Sequence, residues 1–158
     1  MSDMLIKLYD RQWSLPVEGL GVREHFFVRK PIGPEVSKII AWVENHFYSN
    51  WASEVAVALS SHPMGCYIAL VENELVGFCC FNSTALGYIG PIGVDERYRL
   101  RGIGRKLLNT TCYEMKTAGF GYAVVGWVDP ASIEFYQRVT GATVIPDSEP
   151  GLYRGMIE

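Results

Sequence analysis

Between residues 97 and 106 the chain reads RYRLRGIGRK: five basic side chains (Arg97, Arg99, Arg101, Arg105, Lys106), no acidic one, and two glycines. Residue types in this arrangement suit a ligand with several negative charges. Where a strand turns into a helix, the first backbone N–H groups lack partners within the helix and, together with its dipole, attract anions. Gly102 and Gly104 remove side chains that would keep a pyrophosphate off those groups. Arg101, Arg105 and Lys106 stand close enough to add charge-assisted bonds. Basic residues at a helix start oppose its dipole, so without an anion the arrangement has a cost and nothing to offset it. Two familiar phosphate signatures do not fit. No G-x-x-x-x-G-K-S/T run exists, and the dinucleotide fingerprint requires a third glycine where Leu107 stands.

The elements around this turn follow from periodicity. Residues 88–94 (YIGPIGV) form an apolar run before it, with Gly90, Pro91 and Gly93 predicting an irregular strand. After it, Ile103, Leu107, Leu108, Thr111, Cys112 and Met115 recur at helical spacing, and Gly119 suits the end of that helix. YAVVGWV (122–128) reads as a strand, Asp129-Pro130 as a helix cap and first turn, and Ile133, Tyr136 and Val139 as one face of a helix that Gly141 ends. Upstream, EHFFVRKP (24–31) reads as a short strand stopped by Pro31. A helix follows from Pro34, a second is capped by Asn50 with Glu54 in its first turn, and CYIALV (66–71) and LVGFCCF (75–81) form a hairpin. ATVIP and LYRGMI are expected as short closing strands, and residues 1–23, rich in Gly and Pro, as an irregular arm. The order predicts a mixed α/β layer structure in a single domain spanning 1–158.

The run Arg99-x-x-Gly102-x-Gly104 resembles the coenzyme A motif, R/Q-x-x-G-x-G/A, of the GNAT superfamily of N-acetyltransferases. Ile92, Val94, Tyr98, Leu107 and Leu108 extend the likeness. About thirty residues on, DPASIEFYQRVTGA is similar to the superfamily's Asn-x-x-Ala-x-x-Phe-Tyr segment. Together they cover residues 86–145, the expected coenzyme A-binding core. The resemblance implies a mixed central sheet, splayed between the fourth and fifth strands and flanked by helices, with the pantetheine of acetyl-CoA in the splay. It implies that the backbone of Ile92, Gly93 and Val94 binds pantetheine and the acetyl carbonyl, that Arg99 belongs to the motif, and that Leu100, Arg101, Gly102, Ile103, Gly104 and Arg105 hold the pyrophosphate. Tyr136 becomes the acid that protonates the departing thiolate, where spacing alone reads a core tyrosine. Asp129 stands where the superfamily has asparagine and Ser132 where it has alanine. A cap and a coenzyme A contact both remain open for Asp129.

No base is nominated. Neither strand of the splay contains an acid or a histidine, His46 and His62 read as helix-end residues, and Glu54 as a partner of its helix dipole. The acceptor pocket is expected between the early helices and the splayed strands, with Phe47, Tyr48, Trp51 and Trp127 as candidates.

Composition narrows the functions. The net charge is −3, and outside residues 97–106 the balance is 9 basic against 17 acidic residues. An acidic body with one basic spot argues against a nucleic-acid partner and for a cationic acceptor, a primary amine in a small molecule or peptide. No apolar stretch approaches the roughly 20 residues of a membrane span, and the start shows no signal peptide. Cys66, Cys79, Cys80 and Cys112 lack metal or disulfide spacing, so reduced thiols, no metal and a cytoplasmic location are expected. The reading is an acetyl-CoA-dependent N-acetyltransferase, with a homodimer left open. Its rival is an acyl-CoA-binding sensor or scaffold without turnover.

Overall fold

The computed structural model describes residues 1–13 and 25–158. Two antiparallel sheets make up its layers. One has the order β6-β1-β7, built from β1 (Ser2–Lys7), β6 (Tyr122–Val128) and β7 (Thr143–Val144). The other runs β2-β3-β4-β5, from β2 (Phe27–Arg29), β3 (Cys66–Val71), β4 (Glu74–Phe81) and β5 (Ile89–Val94). The β3–β4 hairpin turns through Glu72 and Asn73, both with positive φ, the geometry that matches the twist of the strands it joins.

Helices α1 (Val36–His46) and α2 (Ser49–Ser60) cover one side of the larger sheet. Ile39, Val43, Val55 and Leu59 pack there with Ile68, Phe78 and Cys80. Helices α3 (Ile103–Thr117) and α4 (Ile133–Thr140) serve a second core that also contains Met4, Ile6, Cys79, Val125 and Tyr136. Successive residues of a strand face opposite ways, so Cys79 and Cys80 belong to different cores. Every residue expected on the buried face of α3 is buried.

Two expectations fail at the ends of the chain. Residues 2–7 are not an irregular arm but a central strand. Met4, Ile6 and Leu8 alternate at 0% exposure, and Asp3 is buried because its Oδ1 accepts the Trp127 N–H at 2.9 Å. The rest of that expected arm, 14–23, lies outside the described residues. LYRGMI is likewise no strand: Gly151–Tyr153 is one 3-10 turn, and the only closing strand among the described residues is β7. In addition, α2 begins two residues earlier than an Asn50 cap would place it, after an uncapped Tyr48, so Glu54 lies beyond its first turn and is not the expected partner of its dipole.

Candidate active site

β5 and β6, the fourth and fifth strands of the sequence reading, run parallel but are joined at one place. Tyr88 bridges Val124, and the Val124 N–H donates to the Gly87 carbonyl at 3.0 Å. Beyond that junction the sheets part. β5 carries one residue more than β4 between the pairs Cys79–Ile92 and Phe81–Ile89, a bulge at Gly90–Pro91 that bends its edge. The result is a wedge-shaped gap with a closed end at Tyr88 and an open end toward Val94.

At the open end Asp95 starts a turn by accepting the Arg97 N–H (2.9 Å) and guanidinium (2.9 and 3.2 Å). The Arg97 guanidinium, followed by burial acting in the opposite sense and by the Arg97 N–H, holds the Asp95 carboxyl below its ordinary range. Arg97 also reaches Glu74, so its charge is met within the protein. Leu100 and Gly102 then adopt positive φ (63° and 82°), turning the backbone N–H groups outward as α3 begins. No side chain caps α3, and Lys106 N–H is the first to bond back, to Gly102. A Cβ on Gly102 would meet nothing within 4 Å, and one on Gly104 would touch Phe135 at 3.5 Å. The Arg101 guanidinium lies 5.2 Å from the Tyr98 ring centroid, and Arg99 Nε donates to the Val94 carbonyl at 3.4 Å. A cleft of about 390 Å³ opens beside this turn, lined by Asn45, Phe47, Val94, Asp95, Arg97 and Arg99 among others.

Tyr136 lies on α4, in the core that also contains Cys79. It is 8% exposed, and its hydroxyl has no hydrogen-bond partner among the described residues. Burial, then the neighbouring Cys79 thiol, pushes its pKa well above the usual phenol range, so it holds its proton at neutral pH.

Residues 20–142 match the sequence profile of the acetyltransferase (GNAT) family. The chain belongs to that family. Solved structures share its fold. A GCN5-related glucosamine N-acetyltransferase region of a fungal multi-domain GH3 β-N-acetylglucosaminidase is 16% identical over 91% of this chain and 19% of its own, with a TM-score of 0.68. A GCN5-related N-acetyltransferase from Sphaerobacter thermophilus is 21% identical over 91% of this chain and 48% of its own, TM-score 0.66. A GNAT family acetyltransferase from Brucella melitensis, solved with acetyl-CoA, is 19% identical over 70% and 81%, TM-score 0.55. The chain thus spans less than half the length of the first two. No curated protein matches it in sequence.

Within this GNAT fold the predicted residues fall into distinct groups. Leu100, Arg101, Gly102, Gly104 and Arg105 come together at the turn, whereas the Ile103 side chain points into the core at 1% exposure. Gly93 has a packing reason for lacking a side chain, since a Cβ there would lie 2.6 Å from the Phe47 ring. Asp129 caps the turn into α4, its Oδ1 accepting the Ala131 N–H at 2.9 Å. His46 stacks on Trp42 and lies 3.6 Å from Asp95, a structural helix-end role. Phe47 and Trp51 pack together with centroids 5.1 Å apart, while Trp127 stands apart from them, stacked on Tyr153 at 4.7 Å.

A polar group at the closed end was missed. Glu54 of α2 is half-buried and accepts a hydrogen bond from Thr84, in the loop between β4 and β5. Burial raises its pKa, the Thr84 bond opposing. Tyr153 sits close by, with its pKa pushed up to about 12 by burial and then by Glu54 and Asp3. Reading Glu54 only as a dipole partner hid this, and mistaking 152–157 for a strand hid Tyr153. Among the described residues no group of three metal-ligating side chains forms, and no helix is long and apolar enough to cross a membrane.

Proposed function

We propose that this chain transfers the acetyl group of acetyl-CoA to a primary amine of a small molecule or peptide, with Tyr136 as the acid at the leaving sulfur. Its main support is the bulged gap between β5 and β6 that opens onto the uncapped start of α3. The free N–H groups of that turn, bare at Gly102 and Gly104, with Arg99, Arg101 and Arg105 beside them, fit a pyrophosphate. The backbone of Ile92, Gly93 and Val94, on the edge of β5 that has no strand partner beyond the Tyr88 bridge, suits the amide groups of pantetheine. Acetyl-CoA bound there supplies a thioester.

The protein's own part is positioning and proton transfer. The gap holds the acyl carbon in line with the amine, which removes much of the entropic barrier. Tyr136, kept neutral by burial, donates its proton to the thiolate as the carbon–sulfur bond breaks. The acidic body favours a cationic acceptor, and the glucosamine N-acetyltransferase named among the fold relatives makes an amino sugar a natural first trial. Four buried, free thiols suit a reducing compartment such as the cytoplasm.

The test is thermal. Acetyl-CoA should raise the melting temperature while NAD and ATP at equal concentration do not, and thiol should be released when an amine is added. Equal shifts with all three would overturn the coenzyme A assignment. A shift without thiol release from any amine would favour the non-catalytic reading.

A further inference from the structure

We propose that Glu54 is the base that takes the proton from the acceptor's ammonium group, and that the closed end of the β5–β6 gap therefore receives acceptors that arrive as cations. The proposal rests on the transferase reading above and adds the residue and the acceptor charge that it leaves open.

Four distant segments meet at this point. Glu54 comes from α2, Thr84 from the loop after β4, Gly126 from β6 and Tyr153 from the turn near the C-terminus. The Thr84 hydroxyl donates to Glu54 Oε1 and fixes the carboxylate, leaving its second oxygen for another partner. Tyr153 contacts the same threonine, and a Cβ on Gly126 would lie 2.6 Å from the Tyr153 hydroxyl and 3.1 Å from the Tyr88 ring. Gly126 is bare because this tyrosine oxygen lies over it. The site is thus built around the single junction where β5 and β6 touch, at the inner end of the gap.

Glu54 forms no ion pair among the described residues, although it is half-buried. A carboxylate taken partly out of water gains from a cation or from a proton, and an ammonium group brings both in turn. The alternatives are spent or missing. β5 and β6 contain no acid or histidine, and Asp3 is 5% exposed with its Oδ1 taken by the Trp127 N–H. The titratable groups facing Glu54 are Tyr153 from the C-terminal turn and Cys80 from β4, with Asp3 and Tyr88 beyond Tyr153. Cys80 feels the Glu54 charge whereas Tyr136 feels Cys79, so base and acid stand toward opposite faces of β4.

The step balances. The ammonium gives one proton to Glu54, and the freed amine lone pair forms the nitrogen–carbon bond. The carbon–sulfur bond breaks with its electron pair on sulfur, which takes the Tyr136 proton. The second proton lost from nitrogen restores Tyr136, and Glu54 returns its own to water.

The experiment compares the wild type with Glu54→Gln on spermidine, glucosamine and lysine amide. Thiol release reports turnover, calorimetry reports CoA affinity and melting reports folding. The expected result is turnover of at least one amine by the wild type. In Glu54→Gln, CoA affinity stays within about twofold, the melting temperature is equal or higher, and kcat/KM at pH 7 falls roughly 10²–10⁴-fold. The acidic limb of the wild-type pH profile disappears with it. Thr84→Val, which keeps the carboxylate but releases it, should lose about tenfold with CoA affinity intact, and stands in if Glu54→Gln does not fold. Wild-type rate and profile in Glu54→Gln overturn the proposal, and so does a wild type that binds CoA but turns over none of the three cations. Failure of the wild type to bind CoA breaks the transferase reading instead, and calorimetry reports that separately.

Discussion

The two ends of β5 are built in opposite ways. At its C-terminal end, residues 95–105 make a turn from one continuous segment: open, basic, with backbone N–H groups facing outward and Leu100 fully exposed. At its N-terminal end, Glu54, Thr84, Gly126 and Tyr153 converge from four segments into an acidic, aromatic and partly buried cluster. The first end suits a polyanion that many proteins must bind alike. The second suits a cation held among side chains from separate segments. Nucleotide binding can be written in a local motif because the ligand's charge is met by one helix start. Acceptor binding depends on side chains that only packing brings together.

Variants that act on one end alone can break this division. The largest effect is expected from Tyr136→Phe, which keeps the ring in its core and removes only the proton donor. Turnover should fall roughly 10²–10⁴-fold with CoA affinity nearly unchanged. Its hydroxyl has no protein partner among the described residues, so stability should hold or rise. A core tyrosine with no role in catalysis would show wild-type turnover per folded molecule.

Gly104→Val tests the open end. A Cβ at this position makes only ordinary contact with Phe135 and Val94, so the branched side chain should disturb the anion site more than the fold. A rise of about tenfold or more in the CoA dissociation constant is expected, equivalent to losing about one charge-assisted bond. An unchanged constant in a folded variant would move the pyrophosphate elsewhere.

Gly126→Ala tests the closed end. The added methyl must displace the Tyr153 hydroxyl, so kcat/KM for the amine should drop about tenfold while CoA affinity stays, with an overpacking cost of about 1–3 kcal/mol in denaturant melts. Parallel losses of both affinities would show that the two ends are one unit. Gly93→Ala sharpens the point, because its Cβ would strike Phe47 and Phe78. The cost there is to folding, again about 1–3 kcal/mol.

The smallest effect belongs to a pair away from both ends. The Glu35 carboxylate is held at a pKa of about 2, chiefly by Arg29, against burial and with help from the Ile32 N–H. A folded-state pKa below the unfolded one stabilises above the unfolded value and loses that contribution as pH falls toward 2. Glu35→Gln should remove about 1 kcal/mol at pH 7 and progressively less as pH falls through about 2, with neither CoA affinity nor turnover altered.

What could be read in advance follows the same division. Glycines, arginines and helical periodicity placed the turn, α3, the hairpin and α4, because each is decided within a few residues of chain by sterics, dipole and the apolar face. Residues 2–7 were misread because a six-residue alternation beside a Gly- and Pro-rich stretch is a weak local signal. Met4 and Ile6 become a central strand only when β6 and β7 pair with both edges. Glu54 looked like any acid in a first helical turn, and Tyr153 like part of a strand. Their pairing through Thr84 spans most of the chain, and no local rule links positions 54, 84, 126 and 153. By itself the sequence determined where glycines and basic residues gather into one turn and which layers surround it, since those are properties of one segment and its period. The tertiary structure alone decided which groups surround Glu54, because burial and proximity, which set a carboxylate's proton affinity, exist only after the sheets have closed on one another.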